Sequence, residues 1–203
     1  LAAAWGCGMR AVAVVLVQGY LGNRGYFRPM VRWLVARGVG PVHAPNFRSV
    51  FSTIEHFAAE LHREIERIVA GEPGAKVVLV CHSMGGLAAR RYLQEHGAAR
   101  VARLVTIGSP HHGTRLARLG VGPHARQMRP GSDFLLALAQ GEQRDRPSLP
   151  AVSIYSTHDN LVAPQDTYGP PAQVDLALPG GRRLHARIWQ AQVGRVPLLL
   201  LDS

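Results

Sequence analysis

The chain has 203 residues, 47% hydrophobic and 18% charged with 22 Gly and 14 Pro, which suits one globular domain with a substantial core. Its two cysteines, Cys7 and Cys81, lie far apart and fit neither a disulfide framework nor a metal site. The net charge of +10 is arginine, since Lys76 is the only lysine; apart from a local excess at Arg182, Arg183, Arg187 and Arg195 the arginines are scattered, so no nucleic-acid partner is expected.

No apolar run reaches the length of a membrane-spanning helix. Residues 1–10 lack the basic n-region of a signal peptide, yet they also read as the tail of a longer leader, and localisation stays open. Residues 11–17, A-V-A-V-V-L-V, form a continuous apolar run that suits a strand buried on both faces. A Gly-rich loop, Q-G-Y-L-G-N-R-G, follows. The period then changes, and Phe27, Met30, Val31, Leu34 and Val35 share one helical face until Gly38 and Gly40 stop it. Residues 41–44 read as a short second strand. Thr53 can cap a helix that turns Ile54, Phe57, Leu61, Ile65 and Ile68 inward.

Residues 76–81 read as the third strand, 84–95 as a helix and 101–107 as the fourth strand. A less regular region spans 108–150, with a helix expected at 132–139, and strands are expected at 151–155 and 174–178. No repeat or linker divides the chain, so residues 1–203 are read as one domain, with 108–150 a candidate lid and 180–203 an atypical tail. Alternating strands and helices predict an α/β fold, a mostly parallel sheet with helices on both faces. In such sheets function gathers at the carboxyl ends of the strands.

Ser83 stands at one of those ends, in C-H-S-M-G between the third strand and its helix. The pattern departs by one residue from the nucleophile elbow G-x-S-x-G, with Cys81 in place of the first glycine. The elbow is so sharp that the residues two before and two after the serine must be small, which Cys81 and Gly85 satisfy. Such a turn lifts the hydroxyl clear of the sheet and aims the N–H of Met84 at a developing oxyanion. The other reading of Ser83 is an ordinary helix N-cap.

Here the chain resembles the α/β-hydrolase fold family, and within it the bacterial lipase and esterase group. V-L-V-Q-G-Y-L-G-N is similar to that group's oxyanion loop, with Gln18 where the family carries His. The resemblance implies that the N–H groups of Tyr20 and Met84 form the oxyanion hole. G-S-P-H-H-G-T, residues 108–114, is similar to the segment these enzymes carry after the next strand. Its neighbouring histidines diverge in direction, so they are read as structural and no metal is expected.

A serine needs a histidine to take its proton and a carboxylate to fix that histidine, and the family order is Ser, acid, His. S-T-H-D-N-L-V-A-P resembles the acid loop and offers Asp159, with Asx-turn aspartate as the alternative and Asp166 as the nearest substitute. His185 is the only histidine after Asp159, so chain order selects it as the base, although the family's G-H step is missing. His158 and His82 are poorer candidates, the first by direction and the second because it packs beside the elbow.

The expected function is hydrolysis of carboxylic esters through Ser83, Asp159 and His185 and an acyl-enzyme, with no cofactor. The expected partner is a small-molecule or lipid ester, with peripheral contact to a lipid surface left open. Leu116, Leu119, Phe134, Leu135, Leu136 and Leu138 read equally as an acyl-site lining or as helix core. Acyl transfer or thioester cleavage would use the same groups, and the alternative of another class is an inactive scaffold of this fold.

Overall fold

The structure, a computed structural model, describes residues 11–22, 24–47, 52–145, 149–155, 172–177 and 183–189. Seven strands form one sheet among these residues: β1 (Ala11–Val17), β2 (Val42–His43), β3 (Lys76–His82), β4 (Val101–Ile107), β5 (Ala151–Tyr155), β6 (Ala172–Ala177) and β7 (Arg183–Trp189). Their order is β2-β1-β3-β4-β5-β7-β6. The first five are parallel, while β7 runs antiparallel to both β5 and β6. The helices are α1 (Arg28–Ala36), α2 (Ile54–Val69), α3 (Met84–His96), α4 (Pro123–Gln127) and α5 (Asp133–Arg144).

The period-2 geometry of β1 explains why its apolar run has no polar face. Ala13, Val15 and Val17 enter one core with α2, α3 and α5, where Leu61, Ile65, Leu87, Ala88 and Leu138 are buried. Val14 and Leu16 enter the opposite core with Phe27 and Leu34. The sheet is therefore covered on both faces, as the alternation of elements predicts.

Local signals fix the helix ends. Thr53 Oγ1 accepts the His56 N–H at 3.3 Å and starts α2. Ser132 Oγ does the same for α5, accepting from Leu135 N at 3.4 Å. Beyond α1, Gly38 takes φ +71° and the Val39 N–H returns to Leu34 O at 3.0 Å, which closes the last turn as the glycine there predicts.

The described part of the region after β4 contributes to both core and surface. Phe134, Leu135 and Leu138 are core residues, whereas Leu116, Leu119 and Leu136 are exposed, so the six candidate acyl-lining residues divide between two environments. A buried ion pair bolts α5 to α3: Arg90 donates two bonds of 2.8 Å to the Glu142 carboxylate.

The far edge of the sheet differs from expectation. The strand expected at 174–178 is present as β6, but a further strand, β7, follows it, and the two form an antiparallel pair. His185 therefore lies within a strand, not in a connection beyond the last one.

Candidate active site

Hydrogen-bond register aligns the carboxyl ends of the central strands. Cys81 stands opposite Val17 on one side and Thr106 on the other, and Thr106 stands opposite Ser153. One step further along, β1, β3 and β4 deliver the chain into the loops that begin at Gln18, Ser83 and Gly108. The three segments singled out by sequence thus meet at one edge of the sheet.

Ser83 occupies a backbone conformation that L-residues avoid, φ 53° and ψ −125°. Such a conformation costs about 1–3 kcal/mol and persists only where surrounding structure enforces it. Two backbone bonds do so: Ser83 N donates to Ile107 O at 2.9 Å, and Gly86 N donates to Ser83 O at 3.0 Å. Although Ser83 stands at the N-cap position of α3, its side chain makes no capping bond. The ordinary N-cap reading therefore fails. Ser83 is half-buried, and Met84 is the first residue of the helix, where the backbone N–H has no intrahelical acceptor.

The glycines around the serine are explained by close approach. A Cβ on Gly85 would lie 2.6 Å from Val17 O and 2.7 Å from Gln18 O, so the elbow and the loop after β1 are in backbone contact. A Cβ on Gly19 would lie 2.8 Å from the Ser83 Cβ. Gly86 packs equally tightly on Ser109 of the loop after β4. Cys81 is wholly buried, and burial pushes its thiol pKa far up, so it is a small packing residue and not a second nucleophile.

The loop after β1 is held by its own side chains. Gln18 is buried and its Nε2 donates to Phe47 O at 3.3 Å, so the residue in place of the family's His still ties the loop to backbone. Gly22 N donates to Gly19 O at 3.0 Å, closing a turn in which Leu21 takes φ 53°. The Tyr20 hydroxyl donates to Val121 O at 2.5 Å and accepts from Val121 N at 3.2 Å. That tie, spanning 101 residues of sequence, anchors the loop whose Gly19 abuts Ser83, and no local pattern announces it. His82 packs against Tyr26, ring centroids 4.9 Å apart.

The paired histidines have different fates. His111 is buried: its Nδ1 faces Arg90 NH1 at 3.4 Å, its Nε2 faces Thr106 Oγ1 at 3.1 Å, and its carbonyl accepts from Arg90 NH1 at 3.0 Å. Nδ1 is thus an acceptor and Nε2 carries the proton. His112 is exposed. Among the described residues no group of three or more His, Cys, Asp or Glu side chains could hold a metal ion.

Burial, then the Arg90 charge, then His112 hold His111 well below the ordinary histidine value of 6.5. The unfolded chain therefore binds more protons than the folded one below about pH 6.5, and stability falls as the pH drops through that value toward the folded pKa. His111→Gln, which keeps hydrogen-bonding capacity without titrating, is expected to flatten this acid-side loss in denaturant titrations between pH 7 and 5. An unchanged pH slope would show that His111 is not its source.

Asp159 lies outside the described residues, four positions after β5 ends at Tyr155. The backbone of His185 is described: it pairs with Tyr155 on one side and Asp175 on the other. It therefore lies at the same carboxyl edge as Ser83, three strand spacings from β3, or about 14 Å across the sheet. Sequence reasoning missed β7, yet L-P-G-G-R followed by R-L-H-A-R-I-W, turn-forming residues and then alternating polar and apolar ones, is a hairpin signal.

A family model described as the alpha/beta hydrolase fold matches residues 12–125, more than half of the chain, and this protein belongs to that family. Among solved structures, Aspergillus fumigatus lipase B superposes with a TM-score of 0.67 at 24% identity, over 77% of this chain and 40% of that one. Phospholipase PlaB from Legionella pneumophila gives 0.64 at 17% identity, over 70% and 37%. Mature Bacillus licheniformis lipase BlEst2 gives 0.58 at 22%, over 68% and 61%. At these identities the likeness is one of fold, and the chain spans less than two thirds of each. A stretch of 38 residues is also 63% identical to glycogen phosphorylase of Mycobacterium tuberculosis, covering 19% of this chain and 4% of that protein.

Proposed function

We propose that the protein is a serine hydrolase of carboxylic esters. The observation that carries this reading is the backbone of Ser83: a positive-φ serine at the end of a strand, packed against the loop after β1, with a side chain that does not cap its helix. A fold maintains such strain where it presents a nucleophile.

In this reading Ser83 Oγ attacks the ester carbonyl carbon and gives its proton to His185. The N–H groups of Tyr20 and Met84 bind the oxyanion of the tetrahedral intermediate. Collapse expels the alcohol, which takes the proton back from the imidazolium, and Asp159 orients and charge-stabilises the ring. Water then repeats the sequence on the acyl-enzyme. Ester substrates with an apolar acyl chain suit the lipases and the phospholipase that share the fold.

The experiment is turnover of p-nitrophenyl esters of increasing chain length, for the natural chain, Asp159→Asn and His185→Ala. Each variant is expected to lose about 10⁴-fold in kcat with little change in KM. Absence of turnover on every ester by the natural chain would contradict the proposal.

One observation favours a second reading, that of a scaffold binding an ester or acyl group without turnover. The strand pairing of His185 keeps its backbone about 14 Å across the sheet from β3. If turnover is present in the natural chain and unchanged in His185→Ala, the base is another group. Binding of an ester analogue without turnover is the scaffold's signature.

A further inference from the structure

We propose that the face around the Ser83 site docks onto an anionic phospholipid surface, with apolar side chains entering the membrane and arginines meeting the headgroups. Large apolar side chains are exposed on the two loops beside the site: Leu21 at 60% and Tyr26 at 64% after β1, Leu119 at 82% and Val121 at 71% after β4. Three of them are tied to the site by contacts, and Leu119 stands two residues before one of these, Val121. Leu21 lies in the turn closed by Gly19, which abuts Ser83; Tyr26 stacks near His82; and Val121 is hydrogen-bonded to Tyr20. Exposed apolar residues gathered in this way mark an interaction site, whereas single ones would need no explanation.

Charge decides the partner. Residues 1–54 contain no Asp or Glu, and neither do residues 96–132, so both loops are acid-free. Arg24, Arg28, Arg115 and Arg118, all exposed, stand among the apolar residues. The described carboxylates, apart from Asp175 in β6, sit instead on or beside α2, α3 and α5, as Glu64, Glu66, Glu95 and Glu142 do. Exposed apolar side chains interspersed with exposed arginines match the acyl boundary and headgroup layer of an anionic bilayer. A nucleic acid would use the arginines but leave Leu119 without a role.

That docking delivers ester to Ser83 rests on the hydrolase reading; the docking itself does not, and the test keeps them apart. Binding of the full chain is measured by co-sedimentation with vesicles of pure phosphatidylcholine and of phosphatidylcholine with phosphatidylglycerol. Expected are about tenfold tighter binding to the anionic vesicles, and about tenfold losses on Leu119→Asp and on Arg115→Glu with Arg118→Glu. Ser83→Ala is expected to bind as the natural chain does, whether or not hydrolysis is seen. Circular dichroism and turnover of a short soluble ester check that these surface variants remain folded. Equal binding to both vesicles, no binding to either, or indifference to Leu119→Asp with tight binding to duplex DNA would each overturn the proposal.

Discussion

Ser83→Ala is expected to reduce ester turnover by about 10⁴-fold or more, because removal of an attacking oxygen leaves only binding and the oxyanion hole. Its effect on stability is expected to be small, since the Ser83 side chain makes no capping bond and alanine inherits the same strained backbone. Ser83→Gly separates the two properties. Glycine accepts φ 53° without a Cβ penalty, so this variant is expected to be equally inactive yet about 1 kcal/mol more stable in urea unfolding. A serine that merely ended a helix would give the opposite pattern, with little loss of activity and a loss of stability. The strain would then be a local accident and not the cost of presenting a nucleophile.

Gly85→Ala is expected to damage fold and activity together. The new methyl would meet the carbonyl oxygens of Val17 and Gln18 at 2.6 and 2.7 Å, and neither is the free end of a flexible side chain. Either the elbow or the loop carrying Tyr20 must move. A cost of about 3 kcal/mol is expected from overpacking against backbone. Displacement of a donor or the nucleophile by about 1 Å adds a loss of about 100-fold in kcat. Gly38→Ala is the control: φ is +71° there but nothing lies within 4 Å, so about 1 kcal/mol of stability is lost with activity retained. Equal behaviour of the two variants would show that the backbone contact between loop and elbow does not hold the site together.

The parallel half of the sheet was legible because its signals are local and agree. An apolar run such as 11–17 has no polar face to suggest an exposed edge, Thr53 and Ser132 cap the helices they precede, and Gly38 closes α1. The elbow was legible for the same reason, being a strand, a serine, small residues and a helix in sequence. What sequence concealed depends on chain segments meeting across the fold. The tie between Tyr20 and Val121, the network of Arg90, His111 and Glu142, and the contact of Gly86 with Ser109 have no periodicity. Arg90 follows Ala88 and Ala89 in α3, and only the structure supplies the buried carboxylate that makes it tolerable there. The β6–β7 hairpin is half legible: a strand is expected at 174–178, whereas β7 falls in the segment read as an atypical tail.

The most direct measurement is covalent labelling of the natural chain with a fluorophosphonate, followed by peptide mass spectrometry. The account predicts one adduct, on Ser83, absent from Ser83→Ala. A chain that remains unmodified, or one modified at another residue with Ser83 intact, would contradict it.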